Sequence, residues 1–292
     1  MARIAFVTHE AVPELMPDDR VAADELERRG ARVEAIPWSA GDVGWSDFDA
    51  VIVRSAWDYH LRLAEFRRWL DAREVDGTRL ANSAATIRWN SHKGYLLELE
   101  RRGVGIVPTR LVPAGHADEL AAALSELPAA IVKPAVSASA HATYRVDGAR
   151  PSGESLTLAA TNDVLVQPFL PEIAAGAGEW SLLFFGGAFS HAVLKQPAAG
   201  DFRVQAEHGG AATSAIPEAS VVDAALAALA AVPAGPPLYA RVDGVVQGGS
   251  FVLMEVELIE PQLYFAIHPP AAARFADCLV DRFLAERPFR IL

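Results

Sequence analysis

The first part of the chain alternates short apolar runs with longer stretches in which apolar residues recur at a helical period. Such an alternation predicts a parallel sheet with helices packed on its faces. We therefore predict an α/β N-terminal lobe over residues 1–85, in which Asp18 or Asp19 caps the first helix. The strands are expected at 3–8, 33–36 and 49–54, and the helices near 17–29 and 61–72.

The middle of the chain, residues 86–165, has a different pattern. A helix is predicted from about 91 to 102 and ends at Gly103, since glycine readily takes the left-handed conformation that closes a helix. The apolar run at 129–133 is predicted to be a strand. It leads into 135–143, a small, polar and unpatterned stretch. We predict a central lobe in which this stretch is a mobile loop between two strands.

The last part, residues 166–292, is predicted to be mainly antiparallel, so that this C-terminal lobe is α+β in type. Glycine pairs at 186–187 and 248–249 separate alternating apolar runs, which is typical of hairpins. A helix is expected near 220–232.

The second hairpin carries paired acidic positions. Glu255 and Glu257 are two residues apart and therefore share one face of a strand. A three-residue loop over 248–250 places Asp243 opposite Glu255 and Arg241 opposite Glu257. The apolar alternate positions are expected to face a core; these are Val252, Met254, Val256 and Leu258.

These acids are candidate ligands for a metal ion. Carboxylates directly across a ladder repel one another, so a positive charge is expected between them. Oxygen ligands suit Mg²⁺, which also takes phosphate oxygens into its shell. The predicted ligands are Asp243, Glu255 and Glu257, and the alternative is an exposed acidic face balanced by Arg241 alone.

Basic residues accompany this acidic patch. Lys93 lies near the start of a predicted helix, and Lys133 ends an apolar strand, where it either binds phosphate or extends to the surface. Lys195 and Arg203 follow the first hairpin. Cations beside an acidic metal site are what phosphoryl transfer requires, because they spread the charge of the transferred group. The chain has neither the P-loop nor the dinucleotide-binding glycine pattern.

Composition narrows the function classes. The 292 residues are 51% apolar, and the net charge of −11 argues against nonspecific binding of nucleic acid. The single cysteine excludes a disulfide within the chain and fits a reducing, cytoplasmic environment. No apolar run in the sequence is long enough to cross a membrane.

The stretch from Ser91 to Phe265 resembles the ATP-grasp superfamily of ligases, in particular the glutathione synthetase and D-alanine–D-alanine ligase type. The resemblance implies the ATP-grasp fold and ATP bound between lobes with one or two Mg²⁺ ions, for which Mn²⁺ is a substitute. It is carried by the segments NSHKGYLLELERRGVGIVPT, IVKP, VQPFLPEI, GEWSLLFF, LKQPAAGDFRVQAEHGG and RVD.

The resemblance also implies roles for single residues. Nucleotide binding falls to Lys93, Lys133, Ser137, Ser139, Gln167, Phe169, Leu170 and Glu179. The catalytic cations around the transferred phosphate are Lys195, Arg203 and Arg241, and the metal ligands are Asp243, Glu255 and Glu257. Three positions depart from the family pattern: Glu257 replaces a frequent asparagine, Gln167 a frequent acid, and the covering loop over 136–143 lacks glycine.

The implied activity is that of an ADP-forming ligase that joins carbon to nitrogen through an acyl-phosphate-type intermediate. The segments RSAWDYH and VELIEPQLYF resemble a subgroup that includes a cyclo-ligase closing O-ureidoserine to cycloserine, an antibiotic. Intramolecular ring closure and ligation of two molecules both stay open. The alternative from another class is a nonenzymatic nucleotide-binding or regulatory protein on the same scaffold.

The substrate is expected to be a small amino-acid-like molecule, and dimers are common in the resembled family. Residues 57–59 and 260–265 are predicted to line its pocket. Arg54 is predicted either to bind a carboxylate or to form a surface ion pair.

Overall fold

The computed structural model describes residues 1–233 and 235–284, in which helices and strands are mixed. The helices are α1 (Pro17–Arg28), α2 (Leu63–Val75), α3 (Ala84–Asn90), α4 (Tyr95–Arg101), α5 (Ala117–Ser125), α6 (Gly153–Thr161), α7 (Ala219–Ala230) and α8 (Pro270–Leu279). The strands are β1 (Ala2–Thr8), β2 (Ala31–Pro37), β3 (Ala50–Val53), β4 (Arg110–Val112), β5 (Ala129–Pro134), β6 (Tyr144–Asp147), β7 (Val164–Pro168), β8 (Glu179–Phe185), β9 (Ala188–Gln196), β10 (Ala211–Ser214), β11 (Tyr239–Gln247) and β12 (Ser250–Glu257).

The strands form three sheets. The N-terminal sheet is parallel, with the order β2-β1-β3, as the alternating pattern predicts. A four-stranded antiparallel sheet has the order β4-β7-β5-β6, and a five-stranded antiparallel sheet has the order β10-β9-β8-β11-β12. The predicted α/β fold with an antiparallel C-terminal part is therefore confirmed. The division into lobes stays a prediction; its boundary at 165/166 falls within β7, and residues 285–292 of the last lobe lie outside the described residues.

The N-terminal sheet is buried on both faces. Ile4 and Phe6 of β1 belong to a core that includes helices α1 and α8, whereas Ala5 and Val7 face a second core that includes α2. The predicted aspartate cap of α1 is wrong: Met16 occupies the cap position without a side-chain hydrogen bond. Because the helix starts at Pro17, Asp18 and Asp19 lie in its first turn, where other contacts engage them.

The helix predicted over 91–102 begins later and is separate from α3. Ser83 caps α3 by accepting a hydrogen bond from the Thr86 amide, and the helix ends at Asn90. Lys93 therefore lies in the break before α4. Its amide donates to the Ala135 carbonyl over 2.7 Å, which ties this break to the end of β5.

The hairpin β11–β12 has the predicted register at the acids, with Asp243 opposite Glu255 and Arg241 opposite Glu257. The predicted three-residue loop is wrong. Gln247 pairs with Ser250 across a two-residue loop, and the register shifts by one residue after Asp243. The short loop and the resulting bulge at Met254 compensate, which is why the pairing of the acids is nevertheless correct.

The bulge also corrects the predicted core face of β12. Leu253, Val256 and Leu258 join one buried cluster, whereas Val252 and Met254 pack against a different one with Leu170 and Ile173. A bulge places two successive residues against one partner and therefore breaks the alternation of faces. The strict alternation expected for Val252, Met254, Val256 and Leu258 is wrong.

Strand β12 is an edge strand whose backbone is covered by side chains. Asn90 donates to the Val256 carbonyl and accepts from the Leu258 amide, and the Tyr95 hydroxyl bonds both backbone groups of Val256. Asn82 donates to the Leu258 carbonyl. These contacts fix the strand that carries Glu255 and Glu257. Within the described part of the chain, no helix combines the length and apolarity needed to cross a bilayer.

Candidate active site

A cavity of about 670 Å³ is lined by residues of the N-terminal lobe, the central sheet and the five-stranded sheet. Every residue that the sequence singles out for nucleotide, phosphate or metal binding lines it. They are Lys93, Lys133, Ser137, Ser139, Gln167, Phe169, Leu170, Glu179, Lys195, Arg203, Arg241, Asp243, Glu255 and Glu257.

Asp243 is the most heavily bonded acid of this cavity. It accepts hydrogen bonds from Arg241 Nε at 3.0 Å and Nη2 at 2.9 Å, and from Ser181 Oγ at 2.5 Å. Lys195 Nζ lies 3.4 Å from its carboxylate. Burial opposes the charge, but Arg241 and Lys195 outweigh it and bring the pKa of Asp243 to about 2.

The two glutamates of β12 have different partners. Glu255 pairs with Lys93 Nζ at 3.0 Å, and Glu257 accepts from Arg241 Nη2. Burial raises the pKa of Glu257 to about 7 against the pull of Arg241, and Glu255 and Asp243 add to the rise. The charges of the three acids thus oppose one another, and Arg241 offsets this only in part at Glu257.

The donor chemistry of Asp243, Glu255 and Glu257 fits Mg²⁺, since all three offer hard carboxylate oxygens. Within residues 1–233 and 235–284, however, no group of three or more His, Cys, Asp or Glu side chains has a metal-holding arrangement. The reason lies in the partners of these acids, because Arg241 and Lys93 engage their oxygens. The metal assignment stays a prediction.

The remaining lysines lie deep in the cavity. Lys133 is held in β5, and burial lowers its pKa. Lys195 Nζ lies 2.5 Å from Glu179, one of the predicted nucleotide-binding residues. Burial raises the pKa of Glu179 despite the opposing charge of Lys195. In this structure Glu179 therefore acts as a buried counter-ion of Lys195.

Arg203 differs from the other cations because it is engaged within its own loop. Its Nη2 lies 2.8 Å from Asp201, and its side chain is 34% exposed. The guanidinium and the amide of Arg203 hold the pKa of Asp201 well below its usual range. The structure thus places Arg203 at the cavity wall without joining it to the buried charge cluster.

The segment that carries the predicted nucleotide-binding residues Gln167, Phe169 and Leu170 runs from β7 into the cavity wall. Gln167 donates to Thr109 Oγ1 over 2.8 Å, and the Phe169 amide donates to the Ala129 carbonyl over 3.0 Å. Leu170 packs in a buried cluster with Ile173. These contacts fix an apolar wall that also contains backbone hydrogen-bonding groups.

The loop between β5 and β6, predicted as a phosphate cover, also lines the cavity. Lys93 Nζ donates to the Ser137 carbonyl over 2.6 Å. Ser139, Ala140 and Ala142 have φ angles of 49°, 53° and 51°, a conformation that costs residues other than glycine free energy. His141 packs against His60 with ring centroids 5.2 Å apart, which joins the loop to the N-terminal lobe.

The predicted substrate-pocket residues are only partly correct. Trp57, Tyr59 and four residues of 260–265 line the cavity. Asp58 does not; it accepts a hydrogen bond from Trp38 Nε1 over 2.7 Å. Leu263 and Phe265 point into a core.

Sequence reasoning missed the start of α1, since residues 16–19 line the cavity. Arg54, left undecided by the sequence, is 2% exposed and pairs with Asp19 at 2.8 Å. Its Nη2 also donates to the Pro261 carbonyl over 2.9 Å. The signal that could have found this wall is the doublet Asp18-Asp19 together with an arginine that follows a buried strand.

Comparisons with known proteins find relatives of this chain both by sequence and by structure. The family model for the N-terminal domain of D-cycloserine synthetase DcsG matches residues 4–82. The cycloserine biosynthesis protein DcsG of Streptomyces lavendulae is 33% identical over 271 residues, which cover 87% of this chain and 89% of that protein. The crystal structure of D-cycloserine synthetase DcsG has a TM-score of 0.85 and 30% identity, covering 97% of this chain and all of that one.

A more distant likeness concerns the fold alone. The D-alanine–D-alanine ligase from Bacillus anthracis has a TM-score of 0.70 and 16% identity, with 98% of each chain covered.

Proposed function

This chain belongs to the family of the cycloserine biosynthesis protein DcsG within the ATP-grasp ligases, and from that premise we propose that it is an ADP-forming ligase closing a carbon–nitrogen bond on an amino-acid-like substrate. The observation that carries the proposal is the buried cluster of cations and acids around Arg241 and Asp243, in a cavity lined by every residue predicted to bind ATP.

In the first half of the reaction, a carboxylate or ureido oxygen of the substrate attacks the γ-phosphorus of ATP, and ADP leaves. Arg241 and Lys195 supply fixed positive charge where the phosphoryl oxygens gain negative charge. Lys93 and Lys133 bind phosphate oxygens as point charges. When bound at Asp243, Glu255 and Glu257, Mg²⁺ would supply further positive charge for the phosphates.

In the second half, an amine-type nitrogen displaces phosphate from the activated carbon. The loop with Ser137 and Ser139 excludes water, which would otherwise hydrolyse the intermediate. A nitrogen in the same molecule reacts at a high effective concentration, so ring closure needs no second binding site. The family relationship favours this intramolecular route, with O-ureidoserine as the first substrate to test.

The test is a phosphate-release screen over amino acids and ureido amino acids, each supplied alone and in pairs with ATP and Mg²⁺. Release with a lone ureido amino acid, together with a cyclic product in mass spectrometry, is the expected result. Release only with pairs would replace ring closure by ligation of two molecules. Tight ADP binding without any release over the panel would contradict the ligase proposal.

The metal assignment is tested by Glu255→Gln. We expect the turnover number to fall by about 10²-fold or more, the effect typical of losing one electrostatic contact to a transition state. Glu154→Gln, at an exposed acid in the first turn of α6, is the matched control and keeps full activity. Unchanged turnover in Glu255→Gln would remove Glu255 from the site.

A further inference from the structure

Among the described residues, two polar atoms of the N-terminal lobe lie buried in the cavity wall without a partner. Within residues 1–233 and 235–284, neither Asp18 Oδ2 nor Arg54 Nη1 has a hydrogen bond. The other atoms of both side chains are engaged: Asp18 Oδ1 accepts from the Ala266 amide over 2.8 Å, and Arg54 Nε donates to Asp19 Oδ1 over 2.8 Å. An unpaired buried polar atom is costly and calls for a ligand or a water.

The two atoms complement each other. Asp18 Oδ2 is an acceptor, Arg54 Nη1 is a donor, and both residues line the cavity. Asp19 neutralises Arg54 through their ion pair, which leaves the charge of Asp18 uncompensated among the three. The wall therefore offers net negative charge beside one directed N–H group.

The wall is also rigid, because separate elements of the fold hold the segment 261–266, which also lines the cavity. Arg54 holds the Pro261 carbonyl, Asp18 the Ala266 amide, and His191 Nε2 donates to the Leu263 carbonyl over 3.0 Å. Such pinning fixes the two free atoms relative to Tyr264, whose ring lies 5.9 Å from the Arg241 guanidinium. The segment 261–266 thus connects the wall that carries the two free atoms to the neighbourhood of Arg241.

We propose that Asp18 Oδ2 and Arg54 Nη1 bind the α-ammonium group and an adjacent carboxylate oxygen of a free α-amino acid or its side-chain derivative. This inference rests on the proposed function, since it names the residues that recognise the substrate. A free ammonium satisfies Asp18, and a carboxylate oxygen satisfies Arg54. A residue inside a peptide carries neither charge there and can offer only neutral hydrogen bonds to the two atoms, which are weaker than charge-assisted ones, so the wall favours free amino acids over peptides.

The first experiment is Asp18→Asn, which keeps the oxygen that accepts from Ala266 and replaces the free acceptor by a donor. We expect KM for the amino-acid substrate to rise about tenfold to a hundredfold, with kcat and KM for ATP within twofold of wild type. The matched control is Asp24→Asn on the same helix, whose partner is Arg20 at the surface. It leaves all three constants unchanged.

The second experiment measures binding without turnover, so that it is independent of the ligase proposal. Serine, as either enantiomer, and 3-hydroxypropanoate differ only by the α-ammonium group. Saturation-transfer NMR on the full chain with ADP should show wild type preferring serine about tenfold or more, and Asp18→Asn showing no preference. Equal preference in both proteins would overturn the inference and attribute the free atoms to bound water.

Arg54 is tested by Arg54→Lys, which keeps a positive charge for Asp19 but lacks the planar guanidinium that directs Nη1 into the cavity. We expect weaker binding of serine and an unchanged affinity for ADP, which also shows that the variant is folded. Full serine binding in this variant would overturn the role of Arg54. If no compound releases phosphate but serine binding still depends on Asp18, the ligase proposal fails and the amino-acid site stands.

Discussion

At the scale of single residues, burial decides how much each ion pair of the cavity contributes to the stability of the fold. The Arg241 side chain is 10% exposed and that of Asp243 4%, whereas Arg203 is a third exposed. Breaking a buried pair by removing one partner leaves an uncompensated charge away from water, whereas exposed pairs contribute little. The three predicted catalytic cations therefore contribute different amounts to the free energy of unfolding, although they share one cavity.

Arg241→Gln should lower the free energy of unfolding by about 3 kcal/mol, because Asp243 and Glu257 lose their shared counter-charge. Arg203→Gln should lower it by less than about 1 kcal/mol. Urea unfolding in a chelating buffer measures both without interference from metal ions. Equal losses in the two variants would contradict the assignment of Arg241 to a buried cluster.

Sequence reasoning correctly predicted the pairing of Arg241 with Glu257 and of Asp243 with Glu255, since these charges share one face of two apolar strands. It failed where a tertiary contact decides the orientation of a side chain. Asp58 looked like a pocket residue but binds Trp38, which is distant in sequence. The pairing of Arg54 with Asp19 could not be predicted either, because α1 and the end of β3 meet only in the folded chain.

Among the elements, the hairpin β11–β12 depends on one close approach. A Cβ added to Gly244 would lie 2.5 Å from the Val252 carbonyl oxygen and would also contact the Phe251 ring. Gly244 stands where the register shifts, so the bulge at Met254 needs a residue without a side chain at this point. The pairing of Asp243 with Glu255 follows directly after that shift.

Gly244→Ala should therefore destabilise the protein by about 1–3 kcal/mol, the range typical of overpacking, and should lower ATP turnover by displacing Asp243. Gly153→Ala is the matched control, since its added Cβ would meet no atom within 4 Å. Thermal unfolding and the phosphate-release assay measure the two effects. A stable variant with full turnover would show that the register tolerates a side chain there.

This hairpin also shows why part of the fold could not be predicted. The glycine pair and the alternating apolar positions indicate two antiparallel strands, and both form. The two-residue loop and the bulge at Met254 offset one another. The pairing of the acids could therefore be predicted correctly although the loop length was predicted wrongly. The break at Lys93 escaped prediction because a tertiary bond to Ala135 stabilises it.

For the molecule as a whole, the segment after β12 joins the N-terminal lobe to the five-stranded sheet. Tyr239 donates to the Ile259 carbonyl, and His191 to the Leu263 carbonyl. His191 also stacks on His268 with ring centroids 4.9 Å apart. A change in the charge of His191 therefore acts on the stability of the entire cavity wall.

Burial lowers the pKa of His191 from 6.5 to about 4. As the pH falls, the unfolded chain therefore protonates His191 at a higher pH than the folded chain does. The contribution of His191 to the free energy of unfolding is complete above about pH 6.5 and decreases as the pH drops towards 4, by up to about 3 kcal/mol. His191→Gln should flatten this part of the stability profile relative to wild type, whereas exposed His116→Gln should not. Parallel profiles for wild type and His191→Gln, measured by urea unfolding, would contradict this assignment.

The left-handed residues of the loop that lines the cavity store conformational free energy. Ser139, Ala140 and Ala142 hold a backbone conformation that glycine would adopt without penalty. The contacts of the loop, among them the bond from Lys93 to the Ser137 carbonyl and the packing of His141 on His60, must therefore offset this cost. Glycine at the three positions would hold the same loop conformation with less support from its neighbours.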